Sequence, residues 1–275
     1  MFALYKLQAK IFLKGPTLIF LIVSSIIYLL VFGSIVKYSG LSPDQQQVSL
    51  LLVFGSVTAI SLMNIALNTF GYSFFDMKNS VLIKRIGATN LTKIDVLTGF
   101  ILWGITTVFI ALGIMLFLMA FFSSWTGYFA IFDFGAINWV GLIVGTFIGS
   151  AAMFSVALLL ISVSPSTQIY QIYSFLYFFI FAAFGGLFTP TNTPHWMEIV
   201  GWFSPITWTS EFITNSALGA DVFHVGGYAI SQVGNTPIAD PITVNTANAT
   251  LDLFMPIIYI VLFLGLTTKT FKWDS

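Results

Sequence analysis

The chain has 275 residues, of which 57% are hydrophobic and 7% are charged, with a formal net charge of zero and no cysteine. An ordinary soluble domain carries about 25% charged residues, so this composition excludes a soluble enzyme and predicts an integral membrane protein. The zero net charge gives no reason to expect a nucleic-acid partner, and the lack of cysteine excludes disulfides and cysteine-ligated metals.

Residues 1–15 form the first predicted element, a helix lying in the membrane interface. Lys6, Lys10 and Lys14 recur every four residues and therefore stay near one helix face, while apolar side chains occupy the rest. Such a helix places its ammonium groups beside lipid phosphates; an unstructured basic tail is the alternative. The pair Gly15-Pro16 then breaks the helix before the chain enters the bilayer.

Six hydrophobic stretches follow, each near the ~20 residues that a helix needs to cross a bilayer. They cover residues 17–36, 48–72, 96–121, 137–162, 168–188 and 251–268. The predicted fold is therefore an all-α integral membrane protein, with residues 1–275 forming a single transmembrane domain of six spans.

The basic residues set the orientation of these spans. If both termini are cytoplasmic, every lysine and arginine except Lys37 lies on the cytoplasmic side, whereas most acidic residues, including Glu198, Glu211 and Asp252, lie outside. This asymmetry follows the positive-inside rule. It predicts a multi-pass protein with both termini in the cytoplasm, in a plasma membrane that we take to be bacterial.

The loop 76–95, between the second and third spans, is the only long charged segment between hydrophobic spans. Within it, residues 81–86 form a short amphipathic stretch that favours a helix, and Gly87 ends it. A helix in this position presents a small lever to a soluble partner. The alternative is a solvated loop that only sets topology.

Two spans carry stripes of side chains at helical spacing. Polar residues recur in the second span at Thr58, Ser61, Asn64, Asn68 and Tyr72. Aromatic residues recur in the fifth span at Tyr170, Tyr173, Tyr177, Phe181 and Phe184. Polar side chains are costly in lipid, so we expect the first stripe to line a substrate path or to bond to other helices. The aromatic stripe offers a wall to an amphipathic substrate or serves packing.

The fourth span repeats a small residue every four positions, at Gly141, Gly145 and Gly149. This spacing lets another helix approach closely, and packing within the chain is favoured over a dimer seam. No ionisable residue is expected deep in any span, which argues against an ion-coupled carrier. Catalytic and nucleotide-binding motifs are absent from the sequence, and His195 and His224 are too isolated for a metal site.

The outer region 189–250 begins with two short apolar stretches, residues 195–203 and 206–217, which meet at Ser204-Pro205. Each is too short to cross a bilayer, so we expect two helices that dip into the outer leaflet and pack on the bundle. A predicted outer gate comprises Pro194, Trp196, Glu198, Pro205 and Glu211.

Four short patterns follow the fifth span in a fixed order. They are Phe188-x-Pro190, Pro194-x-Trp196, Ser204-Pro205 and Glu211-Phe212. In this order the chain resembles the membrane subunits of type-2 ABC exporters, and the segment from Leu82 to Thr89 is similar to that of the drug- and lipid-exporter branch. Ile213, Thr214 and Asn215 stand where members of the family often carry an arginine.

The resemblance covers essentially the whole chain and implies an N-terminal interfacial helix, a cytoplasmic coupling helix and re-entrant outer helices. It also implies that the chain binds no cofactor, with ATP and Mg held by separate cytoplasmic ABC ATPase subunits. A second permease subunit, identical or paralogous, would complete the complex among membrane lipids. The implied ATPase-coupling residues are Ser80, Val81, Leu82, Ile83, Lys84, Arg85, Ile86 and Thr89.

The predicted function is that of a permease subunit in an ATP-driven exporter, which moves a hydrophobic or amphipathic lipid, drug or peptide. The chain itself is not predicted to be an enzyme. Two alternatives stay open: a passive channel-like or scaffold protein without an ATPase, and a membrane enzyme acting at the outer face through Glu198 or Glu211.

Overall fold

The computed structural model describes residues 26–27, 30–31, 34, 43–78, 92–122, 134–184, 195–218, 228–233, 236–244 and 249–270. The predicted interfacial helix 1–15 and most of the first span, 17–36, lie outside these residues. The middle of the basic loop, 79–91, also lies outside them.

The described chain contains eight α-helices and one β-hairpin. The helices are α1 (Pro43–Asn64), α2 (Gly71–Lys78), α3 (Lys93–Phe121), α4 (Trp139–Val163), α5 (Thr167–Phe184), α6 (His195–Gly201), α7 (Pro205–Ala217) and α8 (Ala249–Thr270). A π-helical segment, Ile65–Phe70, joins α1 to α2, and a 3-10 turn, Phe134–Ala136, precedes α4.

Four helical stretches in the described residues are long and apolar enough to cross a membrane: Ser49–Phe75, Ile94–Phe121, Trp139–Val163 and Leu251–Thr270. They coincide with the predicted second, third, fourth and sixth spans. The predicted fifth span, 168–188, is represented by the 18 residues of α5. Since only a few residues of the first span are described, the arrangement of six spans stays a prediction.

The helix ends are fixed by local side-chain chemistry. Thr92 and Asp95 form a capping box, in which each side chain accepts a hydrogen bond from the other residue's backbone N–H, and so begin α3. Asn138 caps α4 by accepting from the Gly141 N–H at 3.0 Å. Helical backbone reaches Lys78 on one side of the basic loop, so the segment between the two helices is shorter than the predicted loop 76–95.

Helix α7 lies at the centre of the packing, between α1, α4 and α8. Every one of its residues except Glu211 is buried. Serine 204 caps it, and Pro205 occupies its first turn, where a missing N–H costs nothing. The two predicted outer helices are therefore present with nearly the predicted bounds, but α7 is a core element.

The outer region also contains an antiparallel hairpin of β1 (Tyr228–Val233) and β2 (Thr236–Val244). Tyr228 pairs with Val244 and Val233 with Thr236, with an irregularity between Ile230 and Gln232. This hairpin was not predicted. Its sequence signal is Gly234-Asn235, a dipeptide typical of two-residue hairpin turns.

Candidate functional site

The turn between α6 and α7 is held by side chains that bind its backbone carbonyls. The carbonyl of Trp202 accepts hydrogen bonds from Trp208 Nε1 at 3.1 Å and from the Tyr259 hydroxyl at 2.6 Å. The Gly201 carbonyl accepts from Thr207 Oγ1 at 2.9 Å. Since Tyr259 belongs to α8, the turn is fastened to the sixth span as well as to α7.

A second fastening joins this turn to the fifth span. The Tyr177 hydroxyl lies 2.6 Å from Ser204 Oγ, the same oxygen that caps α7. Phe181, one turn further along α5, packs on the Tyr177 ring with the centroids 4.5 Å apart. The start of α7 is therefore joined by hydrogen bonds to α5 and, through the Trp202 carbonyl, to α8.

Helix α7 penetrates far into the bundle. Thr209, near its start, packs on Gly149, which lies ten residues into α4, or about 15 Å from the start of that helix at 1.5 Å per residue. Near the other end of α7, the Ser216 carbonyl accepts from the Asn138 N–H at 2.8 Å. The start of α7 thus lies beside the middle of α4, and its other end lies beside the start of α4.

Glycines in the neighbouring spans make room for α7. A side chain at Gly149 would overlap the Thr209 methyl group, one at Gly145 would meet the Phe212 ring, and one at Gly55 of α1 would meet the Thr214 backbone. Two of the three glycines at four-residue spacing in the fourth span therefore accommodate a helix of the same chain, as the spacing favoured.

The residues of the predicted polar stripe in the second span differ in how deeply they are buried. Thr58, Ser61 and Asn64 are buried within the subunit, whereas Asn68 and Tyr72 are half-buried. Their hydrogen bonds stay within the helix: Thr58 donates to the Phe54 carbonyl, and Asn68 donates to Asn64 Oδ1 at 2.6 Å. Within the described residues of this stripe, only Asn68 and Tyr72 have side chains accessible to a substrate or a second subunit.

The predicted aromatic stripe of the fifth span is divided too. Tyr170 is fully buried and donates its hydroxyl to the Leu67 carbonyl, in the π-helical segment of the second span. Its ring contacts Tyr72 edge to face, with the centroids 5.5 Å apart. Tyr173 is 43% exposed. Tyr177 bonds to Ser204 of the turn, and Phe181 packs on the Tyr177 ring. The Phe184 side chain lies outside the description. Tyr170 therefore serves packing inside the subunit, whereas the Tyr173 side chain is accessible from outside it.

Among the predicted gate residues, Pro205 and Glu211 lie on α7, and Trp196 is exposed on α6. Pro194 and the Glu198 side chain lie outside the description. The carboxyl group of Glu211 lies near that of Asp252 of α8, which is only 1% exposed. Asp252 lies in the first turn of α8, at the edge of the predicted sixth span, so its burial leaves its assignment to the outer side a prediction. Sequence separation hid the pair, because 40 residues divide the two acids.

At the opposite end of the bundle, Lys78 is buried at the end of α2. Its Nζ donates to the Ile161 carbonyl at 3.0 Å and approaches the Ser164 carbonyl at 3.5 Å, both at the end of α4. Burial lowers the pKa of Lys78, while the carbonyls at a helix C-terminus favour a cation. This contact, which sequence reasoning missed, ties the entrance of the basic loop to the fourth span. The predicted ATPase-coupling residues, 80–89, lie outside the described residues.

No group of three histidine or acidic side chains in the described part of the chain is arranged to hold a metal ion. Four of the described helical stretches are long and apolar enough to cross a membrane, and a comparison with protein families identifies the kind of protein. The family model for the ABC-2 type transporter matches residues 1–218. The chain belongs to this family. Comparisons with curated proteins and with solved structures give no match.

Members of the ABC-2 family are the membrane permease components of ABC transporters and are not themselves catalytic, because the ATPase is a separate subunit. The match spans the predicted interfacial helix, the first five spans and α7. It therefore identifies the chain as an ABC transporter permease, and the predicted family resemblance is confirmed. The passive-protein and membrane-enzyme alternatives lose their support.

Proposed function

We propose that this permease exports a hydrophobic or amphipathic compound, such as a lipid, a drug or a peptide, and that α7 is its outer gate. A separate ABC ATPase, holding ATP and Mg, docks beneath the basic loop. A second permease subunit faces the second and fifth spans. The complex lies in a bacterial plasma membrane with both termini of the chain in the cytoplasm.

The observation that carries this proposal is the attachment of α7. The start of α7 is hydrogen-bonded to Tyr177 of α5. Through the Trp202 carbonyl, which accepts from Tyr259, it is also joined to α8. Its length is inserted between α1, α4 and α8, where it fills the outer half of the bundle. A helix held in this way closes the outer side while the spans are in this arrangement, and it leaves its seat when they rock.

The substrate class follows from the side chains near the expected subunit boundary. Half-buried Asn68 and Tyr72 of the second span and exposed Tyr173 of the fifth are uncharged. No charged residue stands in the predicted spans 48–72 and 168–188. A path with aromatic and amide walls and no fixed charge suits an apolar or amphipathic substrate better than an ion.

Coupling to the ATPase enters at the basic loop. Leu82 and Ile83 supply apolar contact area, and Lys84 and Arg85 pair with acidic groups on the ATPase. Lys78, at the entrance of this loop, is bonded to the end of α4. Since α4 also seats α7 at Gly145 and Gly149, one continuous set of contacts runs from the loop to the gate.

The test is affinity purification of the permease from its native host in mild detergent, with co-purifying chains identified by mass spectrometry. The wild type is expected to bring down an ATPase whose hydrolysis is inhibited by vanadate. Lys84→Glu/Arg85→Glu is expected to lose it, since both cations face acidic partners.

The matched control is Lys269→Glu/Lys272→Glu, a double charge reversal on the same predicted side of the membrane. It is expected to keep the ATPase. Recovery of the ATPase with the Lys84→Glu/Arg85→Glu variant would reject the loop as the coupling element.

A further inference from the structure

The second span changes its helical pattern at Ile65–Phe70, where the backbone is π-helical. The N–H of Gly71 donates to the Ala66 carbonyl, five residues earlier. An α-helix would direct this N–H to the Leu67 carbonyl, four residues earlier. The Leu67 carbonyl instead accepts a hydrogen bond from the Tyr170 hydroxyl of α5. A bond from another span therefore takes the place of the α-helical one.

Tyr170 fits closely against this part of the second span. It is fully buried, and a Cβ built on Gly71 would overlap its hydroxyl oxygen, so the glycine leaves the space in which the hydroxyl lies. The Tyr170 ring also stacks on Phe75, with the centroids 5.8 Å apart, and meets Tyr72 edge to face. The π-helical segment is thus held by both the hydroxyl and the ring of one residue.

The half-buried side chains in the segment and in the turn that follows it are all polar. These four residues, the polar strip, are Asn68, Thr69, Tyr72 and Ser73. They lie within the membrane-length stretch Ser49–Phe75, and Phe70 and Phe74 beside them are buried. Exposed side chains of the third and sixth spans, such as Leu102 and Val261, are mainly apolar, as contact with lipid requires. Polar groups are costly in lipid, so the polar strip is suited to water or to another protein.

The π-helical segment determines which face of the second span carries the polar strip. A π-helical turn holds one residue more than an α-helical turn, so the residues after it lag by one position, roughly 100° around the helix axis. If the segment became α-helical while α1 kept its place, each later residue would move to the position of the next. Ser73 would then take the position of Phe74, which is 0% exposed.

We propose that Tyr170 is a positioning residue, whose bond to the Leu67 carbonyl keeps the second span π-helical and thereby turns the polar strip toward a water-filled part of the substrate path. The amide, hydroxyl and phenol groups of the strip are uncharged, so they suit the polar end of an amphipathic substrate. This contact with substrate rests on the proposed function, whereas the hydration of the strip and the role of Tyr170 do not.

The first test is cysteine labelling, because the chain has no native cysteine. Asn68→Cys and Ser73→Cys are made singly in the full-length permease, and their rates of reaction with N-ethylmaleimide are measured in native membranes. The thiolate is the reactive form, and apolar surroundings raise the pKa of a thiol. We therefore expect both cysteines to react at least roughly tenfold faster than a cysteine that faces lipid.

Leu102→Cys is the matched control, at a side chain that is 38% exposed. Leu102 lies nine residues after Lys93, where α3 begins, and Asn68 lies ten residues before Lys78, where α2 ends. Both helix ends border the basic loop, so the two positions have similar depths. Equal rates at Leu102→Cys and in the polar strip would overturn the proposal, because the strip would then be no better hydrated than a lipid-facing position.

The second test adds Tyr170→Phe to the two cysteine variants. This change removes the hydroxyl and keeps the ring, so the Leu67 carbonyl loses its donor and the α-helical bond from Gly71 is favoured. We expect Ser73→Cys to react at least roughly tenfold more slowly, because its thiol becomes buried. Asn68→Cys is expected to keep its rate, since positions 68 and 69 are both half-buried.

Tyr173→Phe, at an exposed tyrosine of the same helix, is the control and is expected to change neither rate. A general loosening of the bundle would speed both reactions, so slower labelling at Ser73→Cys separates positioning from destabilisation. An unchanged or faster reaction of Ser73→Cys with Tyr170→Phe would overturn the role of Tyr170. Both tests need neither substrate nor ATP hydrolysis, so the polar strip can fail while the transport function stands, and the reverse.

Discussion

At the scale of single residues, the hydroxyl of Tyr177 is the bond that connects the fifth span to α7, because it meets the oxygen that caps this helix. Replacing Tyr177 by phenylalanine removes the hydroxyl and keeps the ring contact with Phe181. We expect the free energy of unfolding to fall by about 1 kcal/mol, the usual net value of one hydrogen bond. Thermal unfolding in detergent measures it.

The matched control is Tyr173→Phe, on the same helix one turn away, where the ring is 43% exposed. This substitution is expected to change the free energy of unfolding by no more than about 0.5 kcal/mol. Equal losses for the two substitutions would mean that the contact with Ser204 contributes nothing.

Lys78 is the second residue with a role of its own, since its ammonium group binds the end of α4 from the end of α2. Lys78→Met keeps the apolar stem and leaves the Ile161 carbonyl without this donor, so we expect a loss of about 1–2 kcal/mol. Lys269→Met, at an exposed lysine in the last turn of α8, is the control and is expected to change little.

The pH dependence of this difference has a definite sign. Burial lowers the pKa of Lys78 below its ordinary value of 10.5, so at alkaline pH the folded state releases a proton that the unfolded chain still holds. Stability of the wild type relative to Lys78→Met therefore rises with pH over the window just below 10.5. If the stability of the wild type relative to Lys78→Met instead fell as pH rose through this window, the burial of the ammonium group would be contradicted.

At the scale of elements, the seat of α7 against α4 depends on Gly149. A methyl group there lies 1.9 Å from the Thr209 methyl, so Gly149→Ala forces the two helices apart or turns Thr209, and we expect a cost of about 1–3 kcal/mol. Thr209→Ser removes the opposing methyl, and the double variant is expected to recover much of that stability. Fluorescence-detected size exclusion after heating measures both.

Gly113→Ala on α3 is the control, because a side chain there would have no neighbour within 4 Å. Alanine favours helix by about 1 kcal/mol over glycine, so this variant is expected to be neutral or more stable. A Gly149→Ala chain as stable as Gly113→Ala would show that α7 is loosely seated.

The lengths of the apolar stretches and the residues that begin or end helices were enough to predict most of the described helices. The second, third, fourth and sixth spans follow from runs of apolar residues, and the two outer helices follow from Ser204-Pro205 and from stretches too short to cross a bilayer. The burial of α7 between other helices was not predictable in this way. Gly145 and Gly149 indicate that a helix packs closely against α4, but they do not indicate which helix. The contact of Gly149 with Thr209 joins residues 60 positions apart.

The candidate site was predicted less completely than the fold. The stripes of the second and fifth spans indicated which residues share a face, but neither could show that Tyr170 binds the Leu67 carbonyl while Tyr173 stays open. The pairs Glu211–Asp252 and Lys78–Ile161 depend on tertiary approach and have no local signal. Acidic and basic residues were assigned to the two sides of the membrane by the positive-inside rule, which does not indicate their partners.

At the scale of the whole molecule, the contacts form one route from the entrance of the basic loop to α7. It runs from Lys78 to the end of α4, along α4 to Gly145 and Gly149, and from these glycines to α7. We propose that an ATPase bound at the loop moves α7 by this route. A permease whose α7 stays in place throughout the ATP cycle would need another gate.

Disulfide trapping tests this claim most directly, because the chain has no native cysteine. The residues for the pair are Gly149 and Thr209, since a Cβ built on Gly149 lies 3.0 Å from the Thr209 Cβ, close enough for a disulfide after a small adjustment. The permease carrying Gly149→Cys/Thr209→Cys is purified with its ATPase, and the rate of cross-linking by a mild oxidant is measured without nucleotide and after trapping with ATP and vanadate. Each single-cysteine variant serves as the control. We predict rapid cross-linking without nucleotide and a rate at least roughly tenfold lower in the trapped complex, equivalent to about 1.4 kcal/mol between the seated and displaced positions of α7. Equal rates in the two states would contradict the account, because α7 would then stay on α4 while the ATPase works.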